Sequence, residues 1–114
     1  MPDTNLISEK LNLSEDELLR ELATGVSKGA SATDLAKRGK EIYGNLKSKL
    51  QEKICRSELV RKTFENGDRV ALVAALLDCV AGSITGVSPV TFCVLLAREG
   101  VSSLCVASWK AAVQ

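Results

Sequence analysis

The last third of the chain carries almost no charge, and this limits the available folds more than any other feature. Of 29 charged side chains only four lie beyond Arg69: Asp78, Arg98, Glu99 and Lys110. So apolar a stretch must be enclosed by the rest of the chain, by a second protein or by lipid. A chain of 114 residues has the length of one domain. At that size about two-thirds of the unfolded surface is buried, so wrapping several all-apolar segments is demanding.

The rest of the chain reads as amphipathic helices. Ser14 is a natural N-cap, and Glu17 three residues on completes a capping box with Leu13 and Leu18 as its hydrophobic staple. This helix runs to about Thr24, and Gly25 and Gly29 open a loop of small residues. Residues 1–13 form a flexible segment or a short helix, with Leu6, Ile7, Lys10 and Leu11 on one amphipathic turn, and 14–114 form a single helical domain. A second helix spans about Ala32 to Ile54. At 100° per residue Leu35, Ile42, Tyr43, Leu46, Leu50 and Ile54 share one arc. Gly39 sits in that arc. It is either a tolerated glycine, costing about 1 kcal/mol against alanine, or a point where another helix meets the backbone.

A further helix follows Ser57 and carries Leu59, Val60 and Phe64. Glu65-Asn66-Gly67-Asp68 is a stop and a new start, with Asp68 as N-cap. The helix over about 69–81 is apolar on all sides. Leu72, Val73, Leu76, Leu77 and Val80 cover one side, and Ala71, Ala74, Ala75 and Asp78 form a narrow stripe opposite. Close helix contact is expected on that stripe, with Asp78 a buried charge paired to Arg69, Arg98 or a helix N-terminus. Residues 82–87 read as a loop, and Ser88-Pro89 opens another helix that Gly100 ends. A last segment spans about 101–112. Its β-branched content, like that of 90–96, leaves strands at 90–96 or 104–108 as the alternative. The expected fold is all-α, a compact bundle of five or six helices with a very apolar C-terminal third.

The chain has no histidine, the commonest catalytic base and metal ligand. Neither a cysteine nor a serine nucleophile has an imidazole to activate it. The glycines at 25 and 29 lack the strand and the Gly-Lys-Ser/Thr run of a phosphate loop. No catalytic, cofactor-binding or metal-binding residue is expected, and enzyme activity is not. Cys55, Cys79, Cys93 and Cys105 show no C-x-x-C pair and read as reduced, buried thiols. With no basic, apolar leader at the start, this points to the cytoplasm.

The expected function is protein–protein interaction. Residues 3–21 hold six acids and two bases, and 28–62 hold ten bases and four acids. Glu15 and Glu17 on one helix, and Lys37, Lys40 and Lys47 on the next, form complementary patches for a protein partner or for homo-oligomers. The helix number resembles that of the death-fold class of six-helix adaptor domains, which implies an adaptor joining like domains through charged faces. One alternative is membrane insertion of residues 70–109. Against it stand Asp78 in mid-span and the Arg98-Glu99 break in the second run. Another is nucleic-acid binding through a helix-turn-helix near 31–65. Against it stand a net charge of +1 and few aromatic residues.

Overall fold

A computed structural model of the protein describes residues 4–24, 32–84, 86–101 and 103–105. These form six α-helices: α1 (Thr4–Leu11), α2 (Glu15–Thr24), α3 (Ala32–Cys55), α4 (Glu58–Asn66), α5 (Arg69–Val80) and α6 (Pro89–Glu99). A 3-10 turn, Ala81–Ser83, follows α5, and the backbone is helical again at 101 and 103–105. The fold is all-α, and no strand occurs among the described residues. The run at 90–96 is helix, because Ser88 caps it and Pro89 presets its first turn. The loop glycines at 25 and 29, and the end of the last segment with Trp109, lie outside the described residues.

Local capping chemistry sets the boundaries. The Glu17 amide donates to Ser14 Oγ at 3.1 Å, and the Ser14 hydroxyl donates to Glu17 Oε1 at 3.1 Å. Ser57 accepts from the Val60 amide, Asp68 from the Ala71 amide and Ser88 from the Thr91 amide. Each cap satisfies one of the amides that a helix start leaves unpaired. Gly67 ends α4 at φ 77°, a left-handed conformation that glycine adopts without a Cβ penalty.

One continuous core cluster is built in two parts. The first is the hairpin of α2 and α3. Leu18, Leu19, Leu22 and Ala23 of α2 are buried against the half of α3 that runs up to Tyr43, while Leu50 and Ile54, further along α3, are buried beyond the start of α2. The two helices touch at Gly39. A Cβ built there would lie 2.6 Å from the Leu19 carbonyl carbon and 3.0 Å from its Cα. The close-approach reading of Gly39 is therefore the correct one. The second part is α5 against α6. All seven residues from Thr91 to Ala97 are buried, as are six of α5, so most of the described apolar third faces inward, while Val70, Val87, Val90 and Leu104 are half-buried. The exposed large apolar side chains, Leu6 and Leu59, lie elsewhere. Ile7 of α1 enters the core, and α1 rests on α5 and α6.

Two expectations are corrected. Asp78 is exposed, not buried. The large side of α5 takes the core through Leu72, Val73, Leu76, Leu77 and Val80. This turns most of the small stripe outward: Ala71 and Ala74 are half-buried, and only Ala75 is enclosed. The driving force follows apolar area, and alanines offer little of it. The second correction concerns the cysteines. Cys55 and Cys105 form a disulfide across a sequence separation of 50 residues, while Cys79 and Cys93 are free. Spacing could not show this, because the pair meets only when the segment after α6 returns to the end of α3. Gln51 Nε2 donates to the Leu104 carbonyl at 2.8 Å beside it. Structural disulfides belong mainly to oxidising compartments, so the cysteines no longer support the cytoplasmic expectation.

Candidate functional site

Two clusters of polar side chains join helices across the bundle. The first is centred on Glu21 of α2. Its Oε1 takes an ion pair from Lys10 of α1 and a 2.9 Å hydrogen bond from the Thr91 hydroxyl of α6. Thr91 is fully buried, so Glu21 supplies the partner that a buried hydroxyl requires. Burial lowers the Lys10 pKa, and the neighbouring Glu9 opposes that shift. This cluster joins three helices.

The second is at a cleft of about 200 Å³ lined by Glu15, Tyr43, Leu95, Arg98 and Glu99. It lies where the start of α2, the middle of α3 and the end of α6 converge. Leu19 meets Gly39 one turn further along α2, so the hairpin is antiparallel and Glu15 comes level with Tyr43. The Tyr43 ring meets Phe92 edge-on at 5.6 Å between centroids. Lys47, one turn on, places its ammonium 4.7 Å from the Tyr43 ring centre and 2.8 Å from Glu99 Oε1. Arg98 Nη1 donates to the Leu13 carbonyl and so fastens the end of α6 to the turn before α2.

The Tyr43 hydroxyl is the unusual group. It is buried with no partner in hydrogen-bond geometry, although the Glu99 carboxylate is near enough to act on it. Burial first, then Glu99 and Glu15, push the phenol pKa well above its ordinary value. For Glu99 burial acts upward. Lys47, by hydrogen bond and charge, together with the Tyr43 hydroxyl, outweighs it and holds the carboxyl below its usual range. The phenol thus stays neutral and the carboxyl ionised.

The residues expected to form an interaction surface fall into two groups. Glu17 is engaged in the cap of α2 and Lys47 in the pair with Glu99. Lys37 and Lys40 are exposed on α3, either side of Gly39, and form no salt bridge among the described residues. Glu15 is likewise exposed without a salt bridge. Asp78 is exposed on α5, remote from these groups in the chain. Sequence reasoning missed Arg98 and Glu99 as site residues, having read the two as a charged break in an apolar run and Arg98 as a partner for Asp78. Tyr43 was read only as core. The Tyr43/Lys47 spacing of one turn is a legible cue to a stacked cation. The arrival of Glu99 depends on tertiary packing.

Other chemistry is sparse. Lys49, Glu52, Lys53, Arg56 and Ser57 line a shallow, open depression, where Arg56 pairs with Glu52 at 2.9 Å and Lys53 donates to Ser83 Oγ at 2.9 Å. The Cys93 thiol is buried, and burial pushes its pKa far up. Among the described residues no three His, Cys, Asp or Glu gather as a metal site would need, and no helix is long and apolar enough to cross a membrane. No family model matches the chain, and neither a curated protein nor a solved structure does.

Proposed function

We propose that the protein is a small helical interaction module that joins protein partners, its own copies included, through exposed charge. The observation that supports this is the presentation of Lys37 and Lys40. Both are exposed and lack a salt bridge among the described residues, on a helix held against α2 at Gly39. Glu15 and Asp16 stand exposed at the start of α2. One stiff hairpin therefore carries a cationic and an anionic patch displaced along its length. A rigid element has no backbone to order on binding, so only its side chains lose freedom, and complementary patches steer encounter. The likeness in helix number to death-fold adaptors adds only the general frame of a helical adaptor. Glu17 and Lys47 drop from the contact set because both have partners within the chain.

The test is absolute mass by size exclusion with light scattering at low and high salt. Low salt is expected to give dimers or larger species that dissociate as salt rises. The variant Lys37→Glu/Lys40→Glu should be monomeric, and mixing it with Glu15→Lys/Asp16→Lys should restore assembly. A mass unaffected by salt and by both variants overturns the charged-face reading.

A further inference from the structure

The break between α1 and α2 has an alternative that the sequence permits. Thr4 to Thr24 contains neither glycine nor proline, the strongest interrupters of a helix. The interruption covers only Asn12, Leu13 and Ser14. Its first two amides still bond backward, Asn12 to the Glu9 carbonyl at 3.2 Å and Leu13 to the Lys10 carbonyl at 3.1 Å. Two contacts hold the break. The Glu17 amide donates to Ser14 Oγ, whereas a continuous helix would give it the Leu13 carbonyl. That carbonyl takes Arg98 instead. Exchange of these two partners joins α1 and α2 into one helix of about 32 Å, at about 1.5 Å per residue. Either arrangement pairs the Glu17 amide, so the segment has two states.

A straight helix removes α1 from its own seat. In the broken form α1 lies on α5 and α6, Ile7 is 1% exposed, and Lys10 pairs with Glu21. Lys10 and Glu21 are 11 residues apart, which is about 16 Å along a single helix axis, so one straight helix cannot keep that pair. The vacated seat is an apolar socket beside the Glu21 carboxylate, and the sequence shown to fit it is α1. A second copy carries the same helix and vacates the same seat. Eight residues are too few for a helix that stands alone in water, so the straight form persists only where α1 is seated again. We infer that two copies of this chain exchange α1. In the swapped dimer Ile7 of each chain fills the socket of the other, and Lys10 of each pairs with Glu21 of the other. This association needs neither Lys37 nor Lys40, so it stands apart from the charged-face reading.

The test uses the full chain with its disulfide intact. Unlabelled and isotope-labelled chains are mixed in urea and refolded together at on the order of 1 mM. Roughly 1 M salt screens the exposed charges. A carbodiimide then joins carboxylates to amines in contact. The expected result is a dimer by light scattering, with Lys10–Glu21 cross-links that combine a labelled and an unlabelled peptide. Ser14→Ala removes the cap from the broken form and suits a helix interior, so it should raise the dimer constant about tenfold or more. Glu15→Pro fits the first turn of a capped α2 but not the interior of a straight helix, so it should abolish the dimer. Glu15→Gln removes the same charge and should leave the dimer in place. Lys10–Glu21 links found only within one label overturn the exchange. So does a dimer constant unmoved by Ser14→Ala, or a dimer that survives Glu15→Pro. The charged-face reading is judged at low salt, by links from Lys37 or Lys40 to Glu15 or Asp16, so each can fail without the other.

Discussion

Replacing Gly39 by alanine should destabilise the protein, although alanine is the better helix former. Intrinsic propensity favours the change by about 1 kcal/mol. The geometry opposes it. Carbon atoms in contact sit about 3.5–4.0 Å apart, whereas a Cβ at Gly39 would stand 2.6 Å from the Leu19 carbonyl carbon. The obstacle is backbone, with the Leu19 carbonyl oxygen nearer still, so no rotamer change relieves it, and α2 and α3 must separate by more than about 1 Å. That loosens the buried Leu18, Leu19, Leu22 and Ala23 surface. Overpacking of this kind costs about 1–3 kcal/mol, and the forced separation places Gly39→Ala at the upper end. A net loss of about 1–2 kcal/mol remains after the propensity gain. Gly44, five residues along the same helix, is the matched control. A Cβ there meets nothing within 4 Å, so Gly44→Ala should stabilise by about 0.5–1 kcal/mol. With urea m-values of about 1–3 kcal/mol per molar, the two midpoints should differ by roughly 0.5–3 M. Urea unfolding followed by far-UV circular dichroism measures this. A Gly39→Ala midpoint at or above the parent's would refute the close approach of α2 and α3.

Thiol titration in denaturant should find two free thiols without reductant and four with it, and reduction should lower stability by up to about 4 kcal/mol for a loop of this length. An unchanged urea midpoint after full reduction would show that the cross-link contributes nothing. Glu21→Leu strands the buried Thr91 hydroxyl and the half-buried Lys10. It should cost about 2–3 kcal/mol in the same assay, against about 1 kcal/mol for Thr91→Val. The raised Tyr43 phenol keeps its proton in the fold while the unfolded chain ionises near pH 10. Stability should therefore fall as pH rises above about 10, and Tyr43→Phe should remove that part of the loss. The depressed Glu99 carboxyl acts in the opposite sense: its contribution is present above about pH 4.5 and is lost on further acidification.

Helix starts were legible in the sequence because they are local. Ser14, Ser57, Asp68 and Ser88 each cap the helix they announce. Gly39 was half legible. Its place in an apolar arc marked it as special, but only the antiparallel return of α2 shows what fills the space. Asp78 was misread because a helix apolar on all sides gives no periodic clue to which side faces inward. Area decided in favour of the leucines and valines. The disulfide was not legible, since four cysteines allow three full pairings and several partial ones. The Tyr43 cleft was also hidden. Its walls come from three helices, and no local residue pattern encodes their convergence.

The bond between Cys55 and Cys105 makes the second half of the chain a closed ring. Helices α4, α5 and α6 lie on that ring, while α1, α2 and nearly all of α3 hang from it as a single free arm. A protease cutting once near Gly86, where φ is 83°, opens the ring without releasing a fragment. The nicked molecule keeps its mass until a thiol reductant separates the pieces. A cut in α2 leaves the start of the chain with no covalent tie, held only by the packing of α1 on α5 and α6. Covalent continuity therefore protects the apolar half of this protein and leaves the charged half reliant on packing alone.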